Sequence, residues 1–205
     1  MATYLEQSLA KLKEFEGSVP WMYRDTVGKV TVGVGLMLPD AAAACALPFR
    51  SGAGAATKEE IAAEFARVEA LAAGRAAGFY RGGLELAAAE IDVKLMGVLT
   101  GFDGELRAHL PGFDGMPDGV KLALLDMIYN LGPEGLFQGY PHLMRDVASG
   151  AWAAAAAACL RHGPSAARNE WTREQFLSAV VGSIKAEVEG WWERLKSVVR
   201  GVMGR

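Results

Sequence analysis

The chain has 205 residues, a formal net charge of -3, 51% hydrophobic and 22% charged residues, which is enough to bury a sizeable core as one domain in two lobes. That composition excludes a disordered chain, and without a basic excess there is no long-range field to collect nucleic acid. Cys45 and Cys159 are too few and too far apart for a disulfide scaffold, and His109, His142 and His162 form no HxxxH grouping, so free thiols are expected and neither a metal nor a cofactor is.

The first predicted element is a helix. Thr3 followed by Glu6 makes a capping-box start, and Leu5, Leu9 and Leu12 recur at the spacing of one helical face. Glu16 continues that stripe, four residues after Leu12, whereas Glu14 points away from it; Gly17 supplies the chain reversal. A carboxylate on a buried stripe, in the last turn where the helix dipole is negative, is expected to hold its proton tightly. That suits a general acid, and a structural ion pair with an arginine fits the same position equally well. After Pro20, Trp21 to Arg24 reads as a strand, Asp25-Thr26-Val27-Gly28 as a turn, and Lys29 to Val34 as the returning strand. Val30, Val32 and Val34 alternate with Thr31, Gly33 and Gly35, so one face is apolar and the other is stripped to a hydroxyl and hydrogens, which leaves room for a ligand.

Glu16-Gly17, Tyr23, Asp25, Gly28, Thr31, Gly33 and Gly35, in this spacing, resemble the catalytic signature of the phage-type lysozymes, a family of glycoside hydrolases that cut peptidoglycan. The resemblance implies that Glu16 is the proton donor, that Asp25 assists the attacking water and that Thr31 positions it. One departure is visible: members often carry His directly after the last glycine of the hairpin, where this chain has Leu36.

Farther along, Pro39 to Ala56 reads as an irregular connection beside the hairpin, mobile enough to gate a cleft. Thr57 with Glu60 opens a helix carrying Ile61, Phe65, Val68 and Leu71 on one face. Gly74 to Leu84 breaks the pattern; residues 72–90 look like an insertion relative to the shortest phage-type lysozymes. Its Phe79-Tyr80 pair is suited to stapling a loop or to stacking on sugar. A helix over Leu86–Leu99 leads to a loop-rich passage from Gly101 to Gly119, whose acids Asp103, Glu105, Asp114 and Asp118 read as caps and solvated charges. The most hydrophobic helix, Val120 to Leu131, belongs at the centre of the larger lobe. Its end, MIYNLGPEGL, also resembles the family, where an amide beside an aromatic reaches into the cleft. Asn130 matches that amide, and it equally fits a helix C-cap before Gly132.

Short helices follow at Pro141–Ala148, Trp152–Leu160 and Ser165–Val181. The family places an arginine here that pairs with the catalytic glutamate; Arg168 corresponds, with Arg173 as the neighbouring alternative. Gly182 to Arg205 reads as an amphipathic helix that covers the larger lobe or touches a membrane.

The expected fold is mainly α (α+β), lysozyme-like, with a small antiparallel β-hairpin lobe and a larger helical lobe in a single domain. Residues 1–56 would form the helix and catalytic hairpin, 57–181 the linking helix and helical lobe, and 182–205 the C-terminal helix. The resemblance implies an inverting muramidase that cleaves the β-1,4 bond between N-acetylmuramic acid and N-acetylglucosamine. Glu16, Asp25 and Thr31 would be catalytic, and Asn130, Arg168, Tyr23 and Gly35 substrate-binding. A lytic transglycosylase, using Glu16 alone, and a non-catalytic wall-binding module are the alternatives. Partners would be peptidoglycan glycan strands, with an immunity or inhibitor protein or a secretion-machine carrier as further candidates. No signal peptide and no integral membrane segment are legible, so the expectation is synthesis in the cytoplasm and action in the periplasm or wall after holin release or contact-dependent delivery.

Overall fold

A computed structural model describes residues 2–52 and 54–203. The chain forms two compact units, residues 1–101 and 102–205, and the division falls inside a helix, between Gly101 and Phe102.

In the first unit, α1 (Tyr4–Glu16) starts on the expected capping box: the Thr3 hydroxyl accepts from the Glu6 amide, and the Glu6 side chain accepts from the Thr3 amide. It ends at Gly17, whose amide donates to the Lys13 carbonyl at 3.0 Å. The hairpin strands are β1 (Val19–Arg24) and β2 (Val30–Gly33), and a third strand, β3 (Leu36–Met37), extends them into an antiparallel sheet of order β1-β2-β3. Val19 pairs with Gly33 and Tyr23 with Thr31, with a bulge in the register between them.

Pro39 to Ala56 is not irregular. Asp40 caps a short helix, α2 (Ala41–Cys45), by accepting from the Ala43 amide at 2.8 Å. Strands β4 (Arg50–Ser51) and β5 (Gly54–Ala55) join β6 (Leu84–Glu85) in a second small sheet of order β5-β4-β6. The alanine content hid the aspartate cap, which is the physical start signal. Between these strands lies α3 (Lys58–Ala70), opened by the Thr57–Glu60 capping box and burying Ile61, Phe65 and Val68. Tyr80, in a 3-10 turn, is fully buried and donates its hydroxyl to the Ala72 carbonyl at 2.7 Å; Phe79 packs edge-on against it and is half exposed. Tyr80 is thus a loop staple.

The open glycine face expected on β2 is not open. All four residues of β2 are buried, and the close neighbour of Gly33 is a side chain of the protein itself. A Cβ built at Gly33 would lie 3.0 Å from Ile91 Cγ2, and Gly33 has a φ of +67°. Ile91 belongs to α4 (Ala88–His109), which is also tied to α1 by the Lys13–Asp92 ion pair. Helix α4 runs ten residues beyond the expected end at Leu99, because Leu99, Leu106 and Leu110 continue its buried stripe and Asp103 turns inward to pair with Arg107 at 2.7 Å. Gly101 and Gly104 weaken a helix without ending it when packing continues past them.

In the second unit, a 3-10 turn at Phe113–Gly115 precedes α5 (Asp118–Gly139), which is broken at Gly132 (φ 72°, ψ 167°) with Pro133 starting the next helical turns. Every residue from Val120 to Ile128 is buried, as an all-round apolar helix requires. Helices α6 (Pro141–Ala148), α7 (Trp152–Ala158) and α8 (Ala166–Met203) complete the unit, and α8 packs on α5 and α7. The two helices expected over 165–181 and 182–205 are one. Val181-Gly182 carries no breaker stronger than a single glycine, so the helix runs through.

Gly33→Ala combines a left-handed backbone with a collision at Ile91. It is expected to lower the unfolding free energy by roughly 1–3 kcal/mol, read as a drop in the urea midpoint; an unchanged midpoint would mean that Ile91 yields freely.

Candidate active site

The first unit brings four of the expected residues to one hairpin. Asp25 closes the turn between β1 and β2: its Oδ1 accepts from the Val27 amide at 3.0 Å and the Lys29 amide at 2.7 Å, while its own amide donates to the Lys29 carbonyl at 2.9 Å. Short polar side chains stabilise turns in this way. Both side-chain bonds use one oxygen, and among the described residues no partner takes Oδ2. The turn is held from behind by Arg24, whose Nε and Nη2 donate to the Gly28 carbonyl at 3.0 and 2.9 Å and whose Nη1 donates to the Leu71 carbonyl at the end of α3.

Thr31 sits opposite Tyr23 in the register, so the two side chains leave the same face of the sheet. Thr31 is 2% exposed, and its hydroxyl donates to the Lys29 carbonyl at 3.2 Å, which leaves its lone pairs as acceptors. Tyr23 is half buried, and its phenol is raised above the usual value near 10, first by burial and then by the negative charges of Asp25 and Glu16. Its hydroxyl therefore lies in the field of both carboxylates and stays protonated through neutral pH.

Glu16 differs from the sequence expectation in one respect. It is exposed, not buried on the Leu12 stripe. Leu12 is 1% exposed, but four residues turn the helix by about 400°, so Glu16 is displaced from Leu12 around the axis, in the last turn before the chain leaves at Gly17. Glu14 is exposed as well and pairs with Lys11 at 2.8 Å. Gly35 lies in the turn between β2 and β3, and Leu36 pairs with Val32 as the first residue of β3.

The second unit holds Asn130 and Arg168. Asn130 is exposed on α5, two residues before the break at Gly132. Arg168 is buried and places its Nε 2.8 Å from Asp126 Oδ1. Arg173, the alternative, pairs at the surface with Glu170 at 2.7 Å. Asp126 is the residue that sequence reasoning missed. It is 1% exposed; its Oδ2 accepts from Arg161 Nη2 at 2.6 Å and from the Thr172 hydroxyl at 2.7 Å, and Arg161 Nη1 reaches its carbonyl at 3.2 Å. The signal was present: an acid inside a run of apolar residues from Val120 to Leu131 requires a buried cation.

Among the described residues, no three His, Cys, Asp or Glu side chains form a metal-binding group, and no helix is long and apolar enough to cross a membrane. Cys45 and Cys159 are free thiols.

The chain superposes on the crystal structure of a P22 lysozyme mutant with a TM-score of 0.54 and 18% sequence identity, over 86% of this chain and 99% of that one. The fold is lysozyme-like. No family model matches the sequence, and no curated protein does; the likeness to the lysozyme is one of backbone. The small antiparallel sheet after α1 and the mostly helical remainder are the two parts of this lysozyme-like fold that the sequence pattern anticipates.

Two measurements test the electrostatics. Asp25→Asn removes a charge that raises the Tyr23 phenol, so ultraviolet difference titration should show that group ionising closer to pH 10 than in the parent. A phenol raised in the folded state contributes stability that is complete below the unfolded-state value and is lost as pH climbs from there through the folded-state value. The parent should accordingly lose more stability on alkaline titration than Tyr23→Phe. In the second unit, Asp126→Ala removes the carboxylate that two buried guanidinium groups share and should cost about 3–5 kcal/mol in denaturant unfolding; a loss below 1 kcal/mol, of the size of an exposed pair, would show that water reaches them.

Proposed function

We propose that the protein is a peptidoglycan hydrolase of the muramidase type, cleaving the β-1,4 bond between N-acetylmuramic acid and N-acetylglucosamine with inversion. The observation that carries this reading is the grouping of Tyr23, Asp25 and Thr31 on one hairpin that follows Glu16 at the end of α1, with the Tyr23 phenol in the field of both carboxylates. The lysozyme-like backbone supports it.

Each group has the chemistry its place requires. Glu16, at an exposed helix end, can receive a proton from solvent and deliver it to the glycosidic oxygen as the bond to the anomeric carbon breaks. Asp25, with one oxygen fixed by two amides and the other unused by the turn, accepts a proton from a water attacking the opposite face of the sugar. Thr31, whose hydroxyl hydrogen is spent on the Lys29 carbonyl, orients that water as an acceptor. Tyr23, its phenol raised first by burial and then by its negative neighbours, remains a donor towards a carboxylate or a sugar hydroxyl. The proton given up by Glu16 is regained from solvent and the one taken by Asp25 is released, so the cycle closes with one water consumed.

Digestion of purified peptidoglycan tests the reading. The parent should release reducing-end N-acetylmuramic acid, first seen as the α-anomer by proton NMR. Glu16→Gln should retain its helical circular dichroism while losing about 100-fold or more of its turnover, the scale of a general acid. Products ending in an anhydro sugar would replace the hydrolase with a transglycosylase, and undiminished lysis by Glu16→Gln would remove the enzyme reading altogether.

A further inference from the structure

The second half of α8 exposes a row of large apolar side chains. Val181, Ile184, Val188, Trp191 and Leu195 are exposed, from 38% at Leu195 to 69% at Val181. Their spacing is three, four, three, four, and the sequence continues it at Val198 and Val202. Two positions of each seven-residue repeat are therefore apolar, seven in succession along the sequence, which is the narrow 3.5-residue seam of a coiled coil.

The flanking charges say what covers it. Glu187 and Arg194 stand seven residues apart on one side of the seam and, with Val188 and Trp191, line one shallow hollow. Among the described residues neither has an ion-pair partner, whereas Lys196 pairs with Glu193 at 2.8 Å and Lys185 with Glu189 at 4.0 Å within the helix. On the other side of the seam stand Lys185 and Trp192.

We infer that residues 181–195 form a two-stranded antiparallel coiled coil with the same helix of a second copy. Antiparallel pairing joins like flanks. Placing Val188 opposite Trp191 of the other copy brings Glu187 to Arg194 and Lys185 to Trp192, each twice, by symmetry. The same register stacks Ile184 on Leu195, and at the centre the smaller Val188 faces the larger Trp191. A parallel pair would set Glu187 against Trp192, leaving that charge without a complement. A lipid surface fits the polar flanks less well, because Glu187, Glu189 and Glu193 interleave the bases where an anionic bilayer selects a basic face. The association is independent of the catalytic proposal, since it involves none of the hairpin residues.

Sedimentation velocity on the full chain, from low micromolar to a few hundred micromolar, decides it. A concentration-dependent dimer is expected. Glu187→Arg and Arg194→Glu should each raise the dissociation constant by about tenfold, because each turns two attractive pairs per dimer into repulsive ones, and the double exchange should restore it. Both sites are exposed, and circular dichroism of each variant controls for folding. Monomer throughout, a dimer indifferent to the single exchanges, or a double exchange that fails to restore would each overturn the assignment. So would a chain that is monomeric in solution and floats with anionic phosphatidylglycerol vesicles.

Discussion

The two amide bonds accepted by Asp25 Oδ1 decide which residues of the hairpin face one another. Side chains alternate along a strand, so slipping the register by one residue would send Thr31 to the other face of the sheet and separate it from Tyr23. The Asp25 turn prevents that slip locally. Arg24 secures it from the far side by joining the Gly28 carbonyl to the end of α3. Ile91 then fills the space above Gly33, so β2 is pinned at both ends by groups that are not themselves part of the proposed chemistry. The carboxylate that closes the turn thus has a structural duty on one oxygen and freedom on the other, which is how one short side chain can serve both fold and site.

The second unit solves a different problem with charge. Its central helix is buried on every side through Ile128, yet carries Asp126. Three donors, from Arg161, Arg168 and Thr172, satisfy that carboxylate and draw α8 and the segment after α7 onto α5. Such a cluster contributes little net stability against an apolar substitute, but it restricts how the helices can pack, since any other arrangement leaves a buried charge without its partner. Arg168 is therefore a structural residue of this unit on geometric grounds, whatever else its remaining donors touch.

Helix α8 shows how one element can belong to two environments. Its first half buries Arg168, Thr172, Phe176 and Ala179 against the unit, and its second half turns an equally regular apolar row outward. A helix interior adds one hydrogen bond per residue once nucleated, so the packed half can carry the exposed half past Gly182 without a break.

Much of the architecture was legible because its signals are local. Thr3–Glu6 and Thr57–Glu60 announced two helix starts, the Asp25–Gly28 turn announced the hairpin, and Val120 to Leu131 announced a buried helix. The elements that were misread depend on contacts distant in sequence. Helix α4 survives Gly101 and Gly104 because Leu106 and Leu110 find a core, and Gly33 is a glycine because Ile91, 58 residues away, needs the space. By itself, then, the sequence determined many of the secondary-structure starts, the spacing of Glu16, Asp25 and Thr31, and the amphipathic pattern after Gly182, all of which follow from backbone periodicity and capping chemistry. Only the tertiary structure decided that Glu16 is exposed, that Asp126 holds Arg168, and that Ile91 fills the space at Gly33, because burial and charge pairing depend on which distant groups arrive in the same space.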